Sequence, residues 1–570
     1  MVPGSDNETL DGVSETWILK ISETLASEKY QPRPARRTYI PKSNGKMRPL
    51  GVGCPRDKIV QQSTRLVMET ILDAKFCNTS HGFRPQRGCH TALNEIRKWK
   101  GVTWFIEGDI KGFFDNIDHH ILEELLKKHF NEARLIHLYW KFVKAGYIEW
   151  DNSKTVFVST DVGVPQGSIL SPLLSNLVLH ELDQYMEKLM IEQKESNGKR
   201  RPYITNPLYH KLTMRINRAK KKINKLKGLN QDHNKEVTDY RRSIRERRKT
   251  KSQIPNPELI RVKYVRYADD WLIGLWGDKQ YAKTLKNNIE SLLRTLKLEL
   301  SMEKTLITLA RSKRAKFLAT YIKRLISDRN GSTLYSRFRN ENKKRRTPTG
   351  NLWMTAPILE IVKKLEDKGY ITCENGVWKP LSITRFTLLP IREIILRYNQ
   401  TLNGIFNYYS FVDNRKHLAK IHWILKESLR KTISRKYQLN KSSFLKKYGI
   451  DIQIRFKKKD GKTSMINFQC PELIRSPMKF LGKAIFADPY SIIERKISTR
   501  DSFGQPCANC NSESGVEMHH IKHIKTINVK LSKFDQMAAK INRKQVPLCG
   551  KCHSDIHAGR YHGKSLKYLK

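Results

Sequence analysis

Acidic residues are scarce in this 570-residue chain: 55 Asp+Glu stand against 108 Lys+Arg, a formal net charge of +53. Long apolar runs are missing too. None approaches the roughly 18–20 residues needed to cross a bilayer. The most apolar stretch, Val164 to Leu179, is broken by Gln166, Ser168, Ser171, Pro172, Ser175 and Asn176. The first thirty residues carry Asp6, Glu8, Asp11 and Glu15, with neither a basic start nor an apolar block, which predicts no secretory signal. Glycine and proline are modest (30 and 22) and hydrophobic residues reach 39%, so collagen-like and disordered chains are excluded. The expectation is a soluble intracellular protein of three or four domains, at roughly 150 residues each, with no membrane partner.

What is abundant is positive charge. A compact chain this basic repels itself unless a polyanion neutralises it. Lys194 to Lys251 holds twenty Lys/Arg and five Asp/Glu, and further clusters lie at Lys343-Lys344-Arg345-Arg346 and Arg455-Phe456-Lys457-Lys458-Lys459. One such run alone reads as a solvated face. Several spread along the chain point to nucleic acid, bound with a steep salt dependence. Within the first cluster Leu212, Ile216, Ile223 and Leu226 recur at helical spacing, which predicts paired helices with cationic outer faces.

Of nine cysteines, five (Cys54, Cys77, Cys89, Cys373, Cys470) stand singly and read as buried small hydrophobes in a reducing compartment. The other four form two knuckles, Cys507-Ala-Asn-Cys510 and Cys549-Gly-Lys-Cys552, separated by 38 residues. Paired knuckles suit a tetrahedral structural Zn²⁺. A zinc ribbon needs only those thiolates, yet His519, His520, His553 and His557 accompany them. His553 and His557, four apart, share a helix face. A nuclease needs a divalent ion and a base, and the segment resembles the HNH, or ββα-metal, endonucleases. That resemblance implies His519, His553 and His557 as ligands of one Mg²⁺, His520 as general base, and Asn542 at the motif's middle position. It gives Glu517 and His523 no role.

In the first half, Val102-Thr103-Trp104-Phe105-Ile106 leads into Glu107-Gly108-Asp109-Ile110, and a later β-like run carries Tyr267-Ala268-Asp269-Asp270. Adjacent aspartates at a strand tip repel one another and call for cations. Bound Mg²⁺ fits, since it accepts carboxylate and phosphate oxygens together. Other blocks fall in order around these: Lys42-Ser43-Asn44-Gly45-Lys46-Met47-Arg48-Pro49-Leu50-Gly51, then Ser80 to His90, then Gly163-Val164-Pro165-Gln166-Gly167-Ser168, and finally Leu300-Ser301-Met302-Glu303-Lys304-Thr305. The ordered set resembles reverse transcriptases, most closely those encoded by group II introns.

The resemblance implies an α+β multidomain architecture. A shortened N-terminal extension (1–30) precedes right-hand polymerase fingers and palm (31–330), with a basic insertion at about 187–262. An α-helical thumb or maturase X domain (345–450), a basic DNA-binding segment (451–500) and a ββα-metal HNH domain with zinc knuckles (501–570) follow. Asp109, Asp269 and Asp270 match the carboxylates for two Mg²⁺, with Ile110 adding a backbone carbonyl. Phe114 matches the gate against a 2′-hydroxyl, Lys42 and Arg48 the contacts to the triphosphate, and Gln166 the contact to the nucleotide sugar. Asp115 and Asp118 read as structural. Phe317-Leu318-Ala319-Thr320 departs from the family, which has Gly at the third position. Tyr408 and Tyr409 suit either base stacking or the core, and one of two adjacent rings on a helix is expected to be core.

The implied function is threefold: RNA-directed DNA polymerase, maturase for splicing, and site-specific DNA endonuclease in intron homing. The implied partners are the chain's own group II intron RNA, a double-stranded DNA target and dNTPs, with room for a dimer. Bacterial cytoplasm and mitochondrial matrix fit equally. A splicing-only maturase has no need of all three aspartates. A free-standing retron-like reverse transcriptase has neither a maturase thumb nor a nuclease tail.

Overall fold

A computed structural model describes the chain except residues 1–3, 7, 42–44, 46, 152–153, 160–161, 165–166, 199–202, 230–231, 233, 251, 257, 326–332, 339–340, 347–349, 375, 458–462, 477–504, 513–515, 523–526, 528–530, 564 and 567–570. At its centre lies a four-stranded antiparallel sheet in the order Leu306–Leu309, Trp104–Gly108, Asp270–Trp276, Arg261–Tyr267. The two middle strands are apolar on both faces, as strands covered on both sides must be. Ile106 and Ile273 point into one core with helices Ser171–Asn197 and Lys279–Thr295. Phe105, Val265 and Leu272 point the other way, into a core shared with helix Cys89–Arg97 and the thumb. This is the period-two alternation of a strand.

The fingers form a second sheet, Met47–Val52, Ala35–Pro41, Tyr147–Asp151, Lys154–Val158, whose middle pair is parallel. Helix Pro55–Asp73 runs on from it, with proline at the first turn where no amide hydrogen is needed. The basic insertion is a helical pair, Pro207–Gly228 and Asn234–Lys249, burying Leu212, Ile216 and Ile223 and pinned by Lys222 to Glu236 at 2.7 Å. A two-stranded ribbon, Tyr203–Thr205 with Gln253–Pro255, closes its base. Both helices and their cationic faces follow the sequence pattern.

The thumb is less purely helical than its periodicity predicts. Helices Ile358–Asp367, Ile391–Tyr408, Ala419–Tyr437 and Lys441–Tyr448 are present, but the hairpin Ile371–Glu374/Val377–Pro380 interrupts them. Gly369 at φ +79° ends the first helix and Gly376 at φ +74° turns the hairpin, backbone that glycine adopts without cost. The thumb core continues past residue 450: Phe468 is fully buried in it, and Ile454 and Ile466 of the hairpin Ile454–Lys457/Thr463–Ile466 pack against it. Near the C-terminus, strands Val516–His520 and Gln545–Cys549 pair antiparallel and lead into helix Gly550–His557. Among the described residues no helix is long and apolar enough to cross a membrane.

Candidate active site and metal centres

Strand register assembles the first site. Gly108 pairs with Trp271 across the two central strands, so Asp109 and Asp270, one step further, stand level at the end of the ladder. Asp269 sits beside them in the turn after Ala268, which is left-handed at φ +54°. Gly108 has to be glycine, because a Cβ there would lie 2.0 Å from the Trp271 ring. Ile110 buries its side chain and bridges Leu300, while the Asp109 carbonyl accepts from Ser301 N at 2.9 Å.

Beneath the aspartate turn lies a clamp that the sequence blocks do not reveal. Arg266 and Asp183 are both fully buried and bonded twice, Nε to Oδ1 at 2.8 Å and Nη2 to Oδ2 at 2.6 Å. Arg266 also donates to Asn176 Oδ1, Ser80 Oγ and the Ala268 carbonyl, at 2.8–2.9 Å. One guanidinium fork thus ties helix Ser171–Asn197 and the block at Ser80 to the residue just before Asp269. Asn176 extends the tie to the Gly82 carbonyl at 2.8 Å. Asp183 is the one acidic residue among the buried side chains of that helix, which otherwise buries apolar residues with Ser171, Ser175, Asn176, His180 and Asn197.

The electrostatics suit a cation. Surrounding protein, then Asp269 and Asp109, push the Asp270 carboxyl up to about 6. Asp269 is raised as well, by burial and by Asp109, against lowering from Lys304 and Arg48. Lys304 Nζ bonds Asp109 Oδ2 at 2.7 Å. Three neighbouring carboxylates are the oxygen donor set Mg²⁺ prefers, so the residues fit that ion.

Among the residues expected to meet the nucleotide, Phe114 is half-buried in the turn Phe113–Asp115, edge-on to Phe113 with ring centroids 5.3 Å apart. Val164 N holds its carbonyl at 2.8 Å. Gln61 Oε1 accepts from Ile169 N at 3.0 Å and Ser168 Oγ at 3.1 Å, anchoring the stretch after Gln166 to helix Pro55–Asp73. Arg48 is exposed on strand Met47–Val52, near enough to act on Asp269. Lys42 and Gln166 lie outside the described residues. Asp118 is structural, as expected: it caps helix His119–Lys127 and pairs with Lys297 at 2.7 Å.

Leu318 and Ala319 are both left-handed, φ +46° and +52°, the backbone for which the family's glycine is suited. The Tyr408 hydroxyl donates to the Leu318 carbonyl at 2.7 Å and Tyr409 to Ala319 at 3.1 Å. Both tyrosines therefore grip this turn from the thumb, and Tyr409, buried in the thumb core with Tyr408 packed against it, is the core ring of the pair.

Two clusters occupy the C-terminal segment. The ligand atoms of Cys507, Cys510, Cys549 and Cys552 all lie within 4.8 Å of one another, and so do those of His519, His553 and His557. Burial disfavours the Cys507 thiolate, but amides of Cys549, Cys510 and Asn509 outweigh it and bring the thiol to about 6. Four thiols at this spacing fit a tetrahedral Zn²⁺. The histidine set is all nitrogen, which suits an imidazole-binding transition ion better than the Mg²⁺ expected from the resemblance. Glu517 Oε2 lies 3.3 Å from His553 Nδ1. His520 is outside the ligand set; its Nε2 meets the Gln545 side-chain nitrogen at 2.7 Å. Gln545, its cross-strand partner, is the side chain beside it, while Asn542 ends helix Lys533–Asn542. His523 is outside the described residues.

Two family models match: "Reverse transcriptase (RNA-dependent DNA polymerase)" over residues 40–197 and "Type II intron maturase" over residues 349–498. Fold and site therefore define a reverse transcriptase palm joined to a maturase-type thumb. Group II intron-encoded protein LtrA of Lactococcus lactis is 34% identical over 96% of this chain and 90% of its own length. A Saccharomyces cerevisiae COX1/OXI3 intron 1 protein is 34% identical over 98% of this chain, which spans 66% of that relative. Apo telomerase from Candida tropicalis overlaps loosely, with 12% identity, a TM-score of 0.38, and coverage of 79% of this chain and 68% of its own. The chain belongs to the family of group II intron-encoded proteins.

Proposed function

We propose that this protein is an RNA-directed DNA polymerase and a maturase for its own group II intron RNA, and that its C-terminal segment is a DNA endonuclease. The observation that carries the polymerase reading is the register that sets Asp109 level with Asp270 at the end of a sheet clamped by Arg266. Bound there, Mg²⁺ would favour ionisation of a primer 3′-hydroxyl and take up charge on the triphosphate. The protein's own residues do the rest. Arg48, with Lys42, meets the triphosphate through charge-assisted hydrogen bonds. Phe114 closes the space a 2′-hydroxyl would need, Gln166 meets the sugar, and the turn at Leu318-Ala319 faces the primer.

The cationic helical pair and the thumb bind intron RNA, chiefly through phosphates, which position without reading sequence. His520 takes the proton from water in the nuclease, beside an ion held by His519, His553 and His557, while Cys507, Cys510, Cys549 and Cys552 hold a structural zinc. Spliced intron RNA inserts into one strand of a double-stranded DNA target and the nuclease nicks the other. The freed 3′-hydroxyl then primes cDNA synthesis from dNTPs. Relatives from a bacterium and from yeast and fission yeast suit a bacterial cytoplasm or a mitochondrial matrix as the setting. Asp269→Ala/Asp270→Ala is expected to remove cDNA synthesis and spare splicing; loss of both would refute separate sites. His520→Ala is expected to abolish second-strand nicking and leave extension of a supplied primer intact.

A further inference from the structure

We propose that Lys304 is a resident counter-cation of the polymerase site, holding the Asp109 oxygen that an incoming metal ion has to take. The inference rests on the polymerase reading above. Lys304 Nζ lies 2.7 Å from Asp109 Oδ2, and its charge acts on Asp269 and Asp270 as well. The placement is built into the chain. Ser301 N bonds the Asp109 carbonyl at 2.9 Å, and Lys304 N and Thr305 N bond back to Ser301 O at 3.1 and 2.8 Å. The turn carrying Lys304 is thereby stitched to the main chain of the aspartate it neutralises. Among the described residues the three carboxylates are not gathered to the spacing of the two C-terminal ligand clusters.

The same geometry makes the guard easy to displace. The Lys304 side chain is 67% exposed and that of Asp109 only 16%, so the lysine can swing into solvent while the carboxylate stays. An ion pair this open contributes little, and a divalent ion with carboxylate ligands outcompetes it. Lys304 therefore lets the three carboxylates coexist before loading and imposes a small, fixed cost on metal entry. The loading step exchanges one cation for another, with no covalent change.

Mn²⁺ binding to the full-length protein, followed by electron paramagnetic resonance without nucleotide or primer, tests this. Asp269→Ala/Asp270→Ala defines the signal that does not belong to the polymerase site; if it loses no Mn²⁺ relative to wild type, the site reading itself fails. Against that baseline Lys304→Met is expected to bind Mn²⁺ about 1.4- to fivefold more tightly, the span set by an exposed ion pair. Lys304→Arg is expected to stay near wild type. Lys313→Met, an exposed lysine elsewhere, controls for general loss of charge. Unchanged or weaker binding in Lys304→Met, or equal tightening in Lys313→Met, overturns the proposal. Amine labelling of the wild-type protein, read by mass spectrometry at Lys304, needs no variant: Mn²⁺ is expected to increase it, and constant labelling overturns the proposal equally.

Discussion

Arg266 and Asp183 show how far the aspartate turn depends on residues that never touch substrate. Replacing Asp183 by Asn leaves a guanidinium buried without its counter-charge, which is expected to destabilise the protein by about 3–5 kcal/mol in urea unfolding. Arg266→Lys should not rescue the site, because a point-like ammonium cannot serve the same fixed set of acceptors. Asp270 makes the opposite case. Its carboxyl is raised from 3.8 to about 6, so the folded state holds that proton more tightly than the unfolded chain does. Metal-free protein is therefore expected to lose stability as pH rises from 3.8 to about 6 and to level off above. Thermal melts of Asp270→Asn should lack that loss, giving a more stable and inactive protein. The aspartates themselves are legible in the sequence, since two adjacent carboxylates closing an apolar run repel one another unless a cation joins them. The partners of Lys304 and Gln61 are not: Lys304 stands in an ordered block and Gln61 on a helix, and only the folded chain brings them against Asp109 and against Ser168 and Ile169.

At the scale of elements, periodicity locates the cationic helical pair because its apolar stripe is sparse and regular. It misses the thumb hairpin, where two glycines and a few β-branched residues decide the matter against helical surroundings. It also misses that Phe468 belongs to the thumb, because burial of one ring leaves no repeating pattern. The helical pair joins the palm through its own short ribbon, Tyr203–Thr205 with Gln253–Pro255, so it can be removed at its base. Replacing 207–249 by a short linker is expected to leave extension of a primer on a generic template intact. It should weaken binding of the intron RNA and flatten the slope of log affinity against log salt, as lost phosphate contacts require; an unchanged slope would place those contacts elsewhere.

In the whole molecule, the palm and thumb share one continuous core, whereas the C-terminal segment has its own small cluster around Cys507, Val546, Leu548, Cys549 and Cys552. So few apolar side chains among the described residues would not hold a domain alone, and the proposed metal ligation is expected to supply the difference. A strong chelator is expected to unfold the C-terminal segment and stop nicking. Primer extension should return in full once Mg²⁺ is restored, with two separate melting transitions in calorimetry.

The order of the central sheet has one more consequence. Strand Trp104–Gly108 stays without either neighbour until residues 270–276 and 306–309 have been made. Non-local pairing of this kind is slow and has to wait for distant chain. A ribosome that stalls before residue 270 therefore releases only fragments in which the two aspartate-bearing strands have never met.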